Sequence, residues 1–352
     1  MAELSPMMQQ YLEIKNQHKD EILFYRIGDF YEMFFDDAVT ASRELDLTLT
    51  GKQCGLAERA PMCGVPFHSY EGYVARLIAK GYKVAICEQV EDPAKAKGLV
   101  KRDIIRVVTP GTVIESSMLQ DDRNNYIASL YLKGKKAGLC FADVSTGTAH
   151  ITELTADKIA PAVITELCRY HPSEVLLNPG LLDCREVTAY IKKNMSCSVE
   201  LVEDERYAPG LVASALEEQF GRDWPQTTGM VAEGLVRFAM AALLEYLHDT
   251  QIKGVERLKT VITYNEAQFM RLSPVTRANL ELTETLRGRE KRGTLLWVLA
   301  ADRRARRPDR RAALHRGHGA PDDPHGVRLC NPQGDLHPCP DLRSSARPAQ
   351  AG

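Results

Sequence analysis

A chain of 352 residues with 44% hydrophobic and 26% charged side chains is too apolar to be disordered throughout, and it is long enough to bury two or three domain cores. Its formal charge of -2 excludes a globally basic nucleic-acid coat, so any DNA or RNA binding must be local to one face. No apolar run approaches the roughly 20 residues of a membrane span, and nine scattered cysteines without a C-x-x-C pair argue against a disulfide framework or zinc ribbon, so a cytoplasmic protein with reduced thiols is expected.

The N-terminus carries no apolar signal core, and Met7–Lys19 reads as a helix. Glu21–Ile27 reads as a strand, Gly28-Asp29 as a two-residue hairpin turn and Phe30–Phe35 as the returning strand. A helix over Asp36–Leu45 follows, with two aspartates at its positive end. Thr50–Ser69 is punctuated by glycine and proline and reads as a structured loop with one short strand. Helical spacing over Tyr70–Lys80, a cap at Gly81 and strands at Lys83–Cys87 and Ile104–Thr109 complete an α/β unit of about 110 residues.

A second α/β pattern follows. Strands are predicted at Asn125–Leu132, Ala137–Asp143, Gly147–Leu154 and Glu174–Leu177, with a helix over Lys158–Cys168 and a stop at Pro179-Gly180. Leu211–Phe220, Met230–Thr250 and Thr276–Leu286 have helical spacing, so the chain is expected to turn all-α near residue 210. After Lys291 lysine disappears, arginines crowd positions 303–311 and prolines recur without apolar periodicity; a low-order tail with no packed core is expected there.

The segment most suggestive of chemistry is Phe24–Phe34. On a strand, Phe30 and Glu32 project to one face and Tyr31 and Met33 to the other. From residue type alone Phe30 reads first as a core aromatic, and spacing does not settle the matter. In Arg59–His68 two prolines and Gly64 make a rigid turn or an edge pressed on a ligand; His68 has no triad partner and reads as a loop histidine. Asp143 invites comparison with a metal-dependent nuclease, but converging carboxylates are wanting, and a turn aspartate is the plainer reading. His325, Cys330, His337 and Cys339 lack ligand spacing. No G-x-x-x-x-G-K-[ST] loop occurs, so neither ATP nor Mg2+ is expected to bind this chain.

The motifs FYRIGDFYEMFFDDA (24–38), APMCGVPFHS (60–69), VAICEQVEDP (84–93) and VVTPGT (107–112), with LLWVL at 295–299, closely resemble the N-terminal portion of the bacterial MutS family of DNA mismatch recognition proteins, over residues 1–299. The resemblance implies an α/β mismatch-recognition domain at 1–110, an RNase H-like α/β connector at 111–255, the start of an all-α core at 256–299 and an aberrant tail at 300–352. The tail reads as a shifted frame of a GC-rich gene. The resemblance further implies that Phe30 is an aromatic wedge at a mispaired base and Glu32 its hydrogen-bonding partner. Lys52 would contact a phosphate, Met62 would pack in the minor groove, and His68 would flank the wedge. Mismatched double-stranded DNA, a MutL-type repair partner on the connector and a homodimer are the implied partners. ATP and Mg2+ are implied for the full-length relatives, which are DNA-dependent ATPases. Two other readings stand beside the sensor: a fragment binding a repair partner through the connector, and a metal-dependent nuclease using Asp143.

Overall fold

The computed structural model describes residues 4–55, 58–91, 98–115, 117–119, 124–250, 257–265, 274–282, 285–288, 290 and 292–299. They fall into two units, Met1–Thr263 and Tyr264–Gly352.

The first unit begins with helix α1 (Pro6–Gln17), strands β1 (Glu21–Ile27) and β2 (Phe30–Phe34), helix α2 (Phe35–Leu45), strands β3 (Thr50–Lys52) and β4 (Ala60–Pro66), helix α3 (Tyr70–Ala79) and strands β5 (Lys83–Gln89) and β6 (Arg102–Val108). The strands form one sheet in the order β3-β4-β2-β1-β5-β6. The β1–β2 hairpin closes as expected: Gly28 takes φ 57°, which glycine adopts without the Cβ penalty, and Ile27 pairs with Phe30. Where one short strand was expected between Thr50 and Ser69, there are two. The prolines of β4 fall at its second and last positions, where the missing N–H costs the ladder least.

The two faces of this sheet are covered unequally. Ile22, Phe24, Tyr31, Met33 and Val65 pack beneath α2 and α3. Leu23, Tyr25 and Phe34 pack beneath Met8 and Tyr11 of α1, whose Tyr11 ring meets Phe34 edge-on at 5.0 Å. Buried Asp37, in the first turn of α2, ties these layers together: it accepts from Leu23 N at 3.0 Å and Tyr11 Oη at 3.3 Å and pairs with Lys15 Nζ at 2.9 Å. Desolvation nonetheless holds its pKa above the usual range.

The chain continues through β7 (Tyr126–Lys133), β8 (Lys136–Asp143), β9 (Thr148–Thr155), α4 (Ile159–Tyr170), β10 (Glu174–Leu177), α5 (Pro179–Leu182), α6 (Arg185–Asn194), β11 (Ser198–Leu201), α7 (Pro209–Phe220), α8 (Trp224–Thr228), α9 (Val236–Thr250) and β12 (Thr260–Thr263). The second sheet has the order β11-β10-β7-β8-β9-β12, an antiparallel β7-β8-β9 meander flanked by parallel strands on both sides. Three expectations need correcting. Pro179 starts α5 instead of stopping the chain, because proline suits the first turn of a helix. The helix expected from Met230 begins only at Val236, after Gly229 has taken φ 69°. The turn to all-α near residue 210 does not occur: α7 and α9 spend their apolar faces on the second sheet, and the β-branched run of β12 adds a further strand beside β9. In the second unit the described residues include α10 (Pro274–Asn279) and helical residues 295–299. The expected tail, with its cysteines and histidines, lies outside the described residues. Of the other seven cysteines, Cys54, Cys63, Cys87, Cys140 and Cys168 are buried, and all seven stand as thiols rather than disulfides.

The two sheets meet at a buried carboxylate. Glu174 of β10 is fully buried; its Oε2 accepts from Thr109 Oγ1 at 2.5 Å and Gly111 N at 2.9 Å, and its Oε1 accepts from Tyr246 Oη of α9 at 2.7 Å. A Cβ on Gly111 would lie 2.8 Å from Glu174 and from Ile127, so only glycine lets the chain leaving β6 pass this close. Lys83 of β5 reaches Glu200 of β11 at 2.5 Å beside this joint.

His150 of β9 supplies a test of the second sheet. It is 7% exposed, its ring lies 6.2 Å from Tyr126 and 5.6 Å from Tyr170, and burial together with the charge of Arg169 pushes its pKa down to about 4. An unfolded histidine titrates near 6.5, so the native state resists a proton that the unfolded chain accepts. Stability is therefore complete above about pH 6.5 and falls as the pH drops toward 4, by up to about 3 kcal/mol. His150→Phe is expected to flatten that acid limb in urea titrations between pH 7 and 4; an unchanged slope would refute the assignment.

Candidate nucleic-acid interface

Phe30, Glu32 and Phe34 alternate onto the same face of β2, yet they meet different surroundings. Phe34 is buried beneath α1, whereas Phe30, about 13 Å away along the strand, lies beyond the reach of that helix and is 47% exposed. The reading of Phe30 as core is thus overturned; Tyr31 and Met33, on the opposite face, are the core residues. An exposed phenylalanine at the first position of a paired strand stands at a fixed height above the sheet, because its backbone is matched to Ile27 on one side and Pro66 on the other.

Glu32 lies one step further along this face, opposite Gly64 of β4. A Cβ at Gly64 would come within 3.5 Å of Glu32 Cγ and 3.2 Å of Tyr31 O, so glycine leaves the carboxylate room to lie across the neighbouring strand. It does so: Lys52 Nζ, arriving from β3, donates to Glu32 Oε2 at 2.5 Å. The ammonium passes 5.6 Å from the centroid of Phe34. Met62 occupies the row between them, paired with Phe34 and Thr50 and half-buried. Phe30, Glu32, Lys52 and Met62 therefore share one sheet face. His68 stands apart on the helical turn after β4, exposed, its ring 5.8 Å from Phe67.

Two residues that sequence reasoning did not single out complete this end of the sheet. Phe67 is 37% exposed, is anchored by its N–H to Asp29 O at 2.9 Å, and carries the guanidinium of Arg26 3.7 Å above its ring. Arg26 in turn pairs with Glu88 at 3.1 Å, and Glu88 also accepts from Tyr31 Oη. Desolvation and the Glu88 carboxylate hold the Tyr31 phenol above its usual range, so it remains a donor. The sequence signals for Phe67 are its position just past Pro66 and its place within the APMCGVPFHS motif.

Asp143 is built differently. At the end of β8 it is buried, and its Oδ1 accepts from Ser145 N at 2.9 Å, Ser145 Oγ at 2.6 Å and Thr146 N at 3.3 Å, the bonds of an aspartate closing its own turn. Among the described residues no group of three or more His, Cys, Asp or Glu is arranged to hold a metal ion, and no helix is long and apolar enough to cross a membrane.

Comparison with known proteins agrees with the two sheets. Residues 5–117 match MutS domain I, and residues 125–259 match MutS domain II. The chain is 48% identical over 299 residues to the DNA mismatch repair protein MutS of Ruminiclostridium cellulolyticum, covering 85% of this chain and 34% of that protein. The same identity and coverage hold for the MutS of Acetivibrio thermocellus. For that of Clostridioides difficile the identity is 46%, over 85% of this chain and 31% of the relative. The chain spans about a third of the length of the curated relatives it matches.

Proposed function

Because this chain belongs to the MutS family, we propose that it recognises mismatched double-stranded DNA through the face bearing Phe30, as the sensing part of mismatch repair. The observation that carries the reading is the solvent-facing ring of Phe30, held on a rigid strand beyond the cover of α1. An aromatic wedge entering the minor groove must unstack a base step, which costs a few kcal/mol and costs less where pairing is already faulty. The difference between the two costs becomes the binding preference. Glu32, adjacent on the same face, supplies a hydrogen bond to the edge of the displaced base, while Met62 packs at the groove and His68 flanks it. A kink opened by the wedge is cheapest at flexible steps, which adds to the preference.

In this reading the residues 125–259 form the connector that meets a MutL-type partner, and homodimerisation and the use of ATP and Mg2+ belong to the full-length relatives. No chemistry on DNA is asked of this chain.

The test is a pair of fluorescence-anisotropy titrations with labelled duplexes identical except for one mispair, repeated at several salt concentrations. Phosphate contacts make both affinities fall with salt, whereas a preference set by the wedge persists in their ratio. Equal affinities at every salt concentration would overturn the proposal.

A further inference from the structure

We infer that Lys52 is a positioning residue for Glu32, setting mismatch discrimination through that carboxylate instead of contacting a phosphate on its own account. The inference rests on the reading of the Phe30 face as the DNA-binding face, and it assigns Lys52 a different role from the phosphate contact that the family resemblance implied.

Three observations support it. Lys52 and Glu32 come from strands that are not neighbours, and the lysine spans β4 to reach its partner at 2.5 Å. What lies along that span is small or apolar: Gly64 offers no side chain opposite Glu32, Met62 fills the row between, and the ring centroid of Phe34 lies 5.6 Å from the ammonium. Finally, both side chains are partly withdrawn from water, at 29% and 16% exposure, so the pair is screened less than a fully exposed ion pair.

The chemical consequence follows from charge. An isolated carboxylate approaching a duplex is repelled by the phosphates on both sides of the groove. A paired Lys52 cancels that charge before contact, and because it engages Oε2, the other oxygen is left to accept from a base N–H; among the described residues nothing bonds to Oε1. Lys52 thus makes a carboxylate tolerable in a groove where it would otherwise oppose binding, and fixes which oxygen faces the base.

A double-mutant cycle separates this role from a phosphate contact. Lys52→Ala is expected to cut the ratio of mismatched to paired affinity by roughly tenfold, as loss of one charge-assisted contact does. Introduced into Glu32→Gln, where no charge needs cancelling, the same change is expected to alter that ratio by less than about twofold, a coupling that independent sites do not show. Lys52→Arg is expected to restore most of the preference. A phosphate contact gives the opposite pattern: equal losses on mismatched and paired duplex in both backgrounds, with the slope of log affinity against log salt reduced by about one. That pattern would overturn the inference and leave the function standing, whereas absence of any mismatch preference in the unmutated protein would remove both. Thermal melting of each variant checks that the fold is kept; a variant that melts early is replaced by Lys52→Gln in the same cycle.

Discussion

Phe30→Ala is expected to bring the affinity ratio between mismatched and paired duplex close to one, a loss on the order of 10–100-fold, given that an aromatic ring stacked on a base is worth about 1–3 kcal/mol. Affinity for paired DNA is expected to fall by no more than about threefold, since contacts to phosphate are untouched. Stability should hardly change, because the ring is half in solvent and β2 is held through its backbone on both sides. That combination distinguishes a wedge from a core residue: removing a buried phenylalanine costs about 3–5 kcal/mol and would lower every activity together. Anisotropy titrations at one fixed salt concentration, alongside urea unfolding, read both quantities. An unchanged ratio would sink the assignment of Phe30.

The second large effect is expected at Glu174. Truncation to alanine leaves Thr109 Oγ1, the Gly111 N–H and Tyr246 Oη without their acceptor in a place water does not reach, and is expected to cost about 3–5 kcal/mol. Glu174→Gln keeps the shape but replaces one acceptor oxygen by a donating amide against groups that are themselves donors, and about 2 kcal/mol is expected. Burial and the Glu174 charge hold the Tyr246 phenol above its usual range, so tyrosine is the donor in this pair at any ordinary pH. Because the three donors come from the end of β6 and from α9, the joint between the two sheets should loosen first. Hydrogen exchange at residues 109–113 should rise in Glu174→Gln before exchange in β8 does. Unfolding of Glu174→Ala within about 0.5 kcal/mol of the unmutated protein would show that this carboxylate holds nothing together.

The hairpin, α3 and the β7-β8-β9 meander were legible because their signals are local: a turn glycine, a helical period capped by Gly81, apolar runs broken at Gly134 and Gly147. What could not be read is what depends on reach. Phe30 and Phe34 have the same residue type and the same face, and only where α1 lies over the sheet decides which one it covers. The pairing of Lys52 with Glu32 depends on β4 falling between β3 and β2, a strand order that no spacing of residues 20 apart announces. Phe67 owes its position to a backbone bond across the turn to Asp29. The short strands β11 and β12 carry four residues each, too few for a period to emerge, and each is a strand because a neighbour, β10 for the one and β9 for the other, offers it an edge.

The placement of β2 in the interior of its sheet has a mechanical consequence. A ring mounted at a sheet edge or on a loop would recoil when pushed against a base stack, and the energy of the encounter would be dissipated in the protein. On the proposed reading a push on this ring would be shared at once by β1 and β4, in a sheet that packs against helices on both faces, so the duplex would be the more compliant partner. Different sites would then be ranked by how readily each one yields to the same load. On the proposed reading, a single wedge thereby answers to many chemically unrelated mispairs through one shared property, their softness.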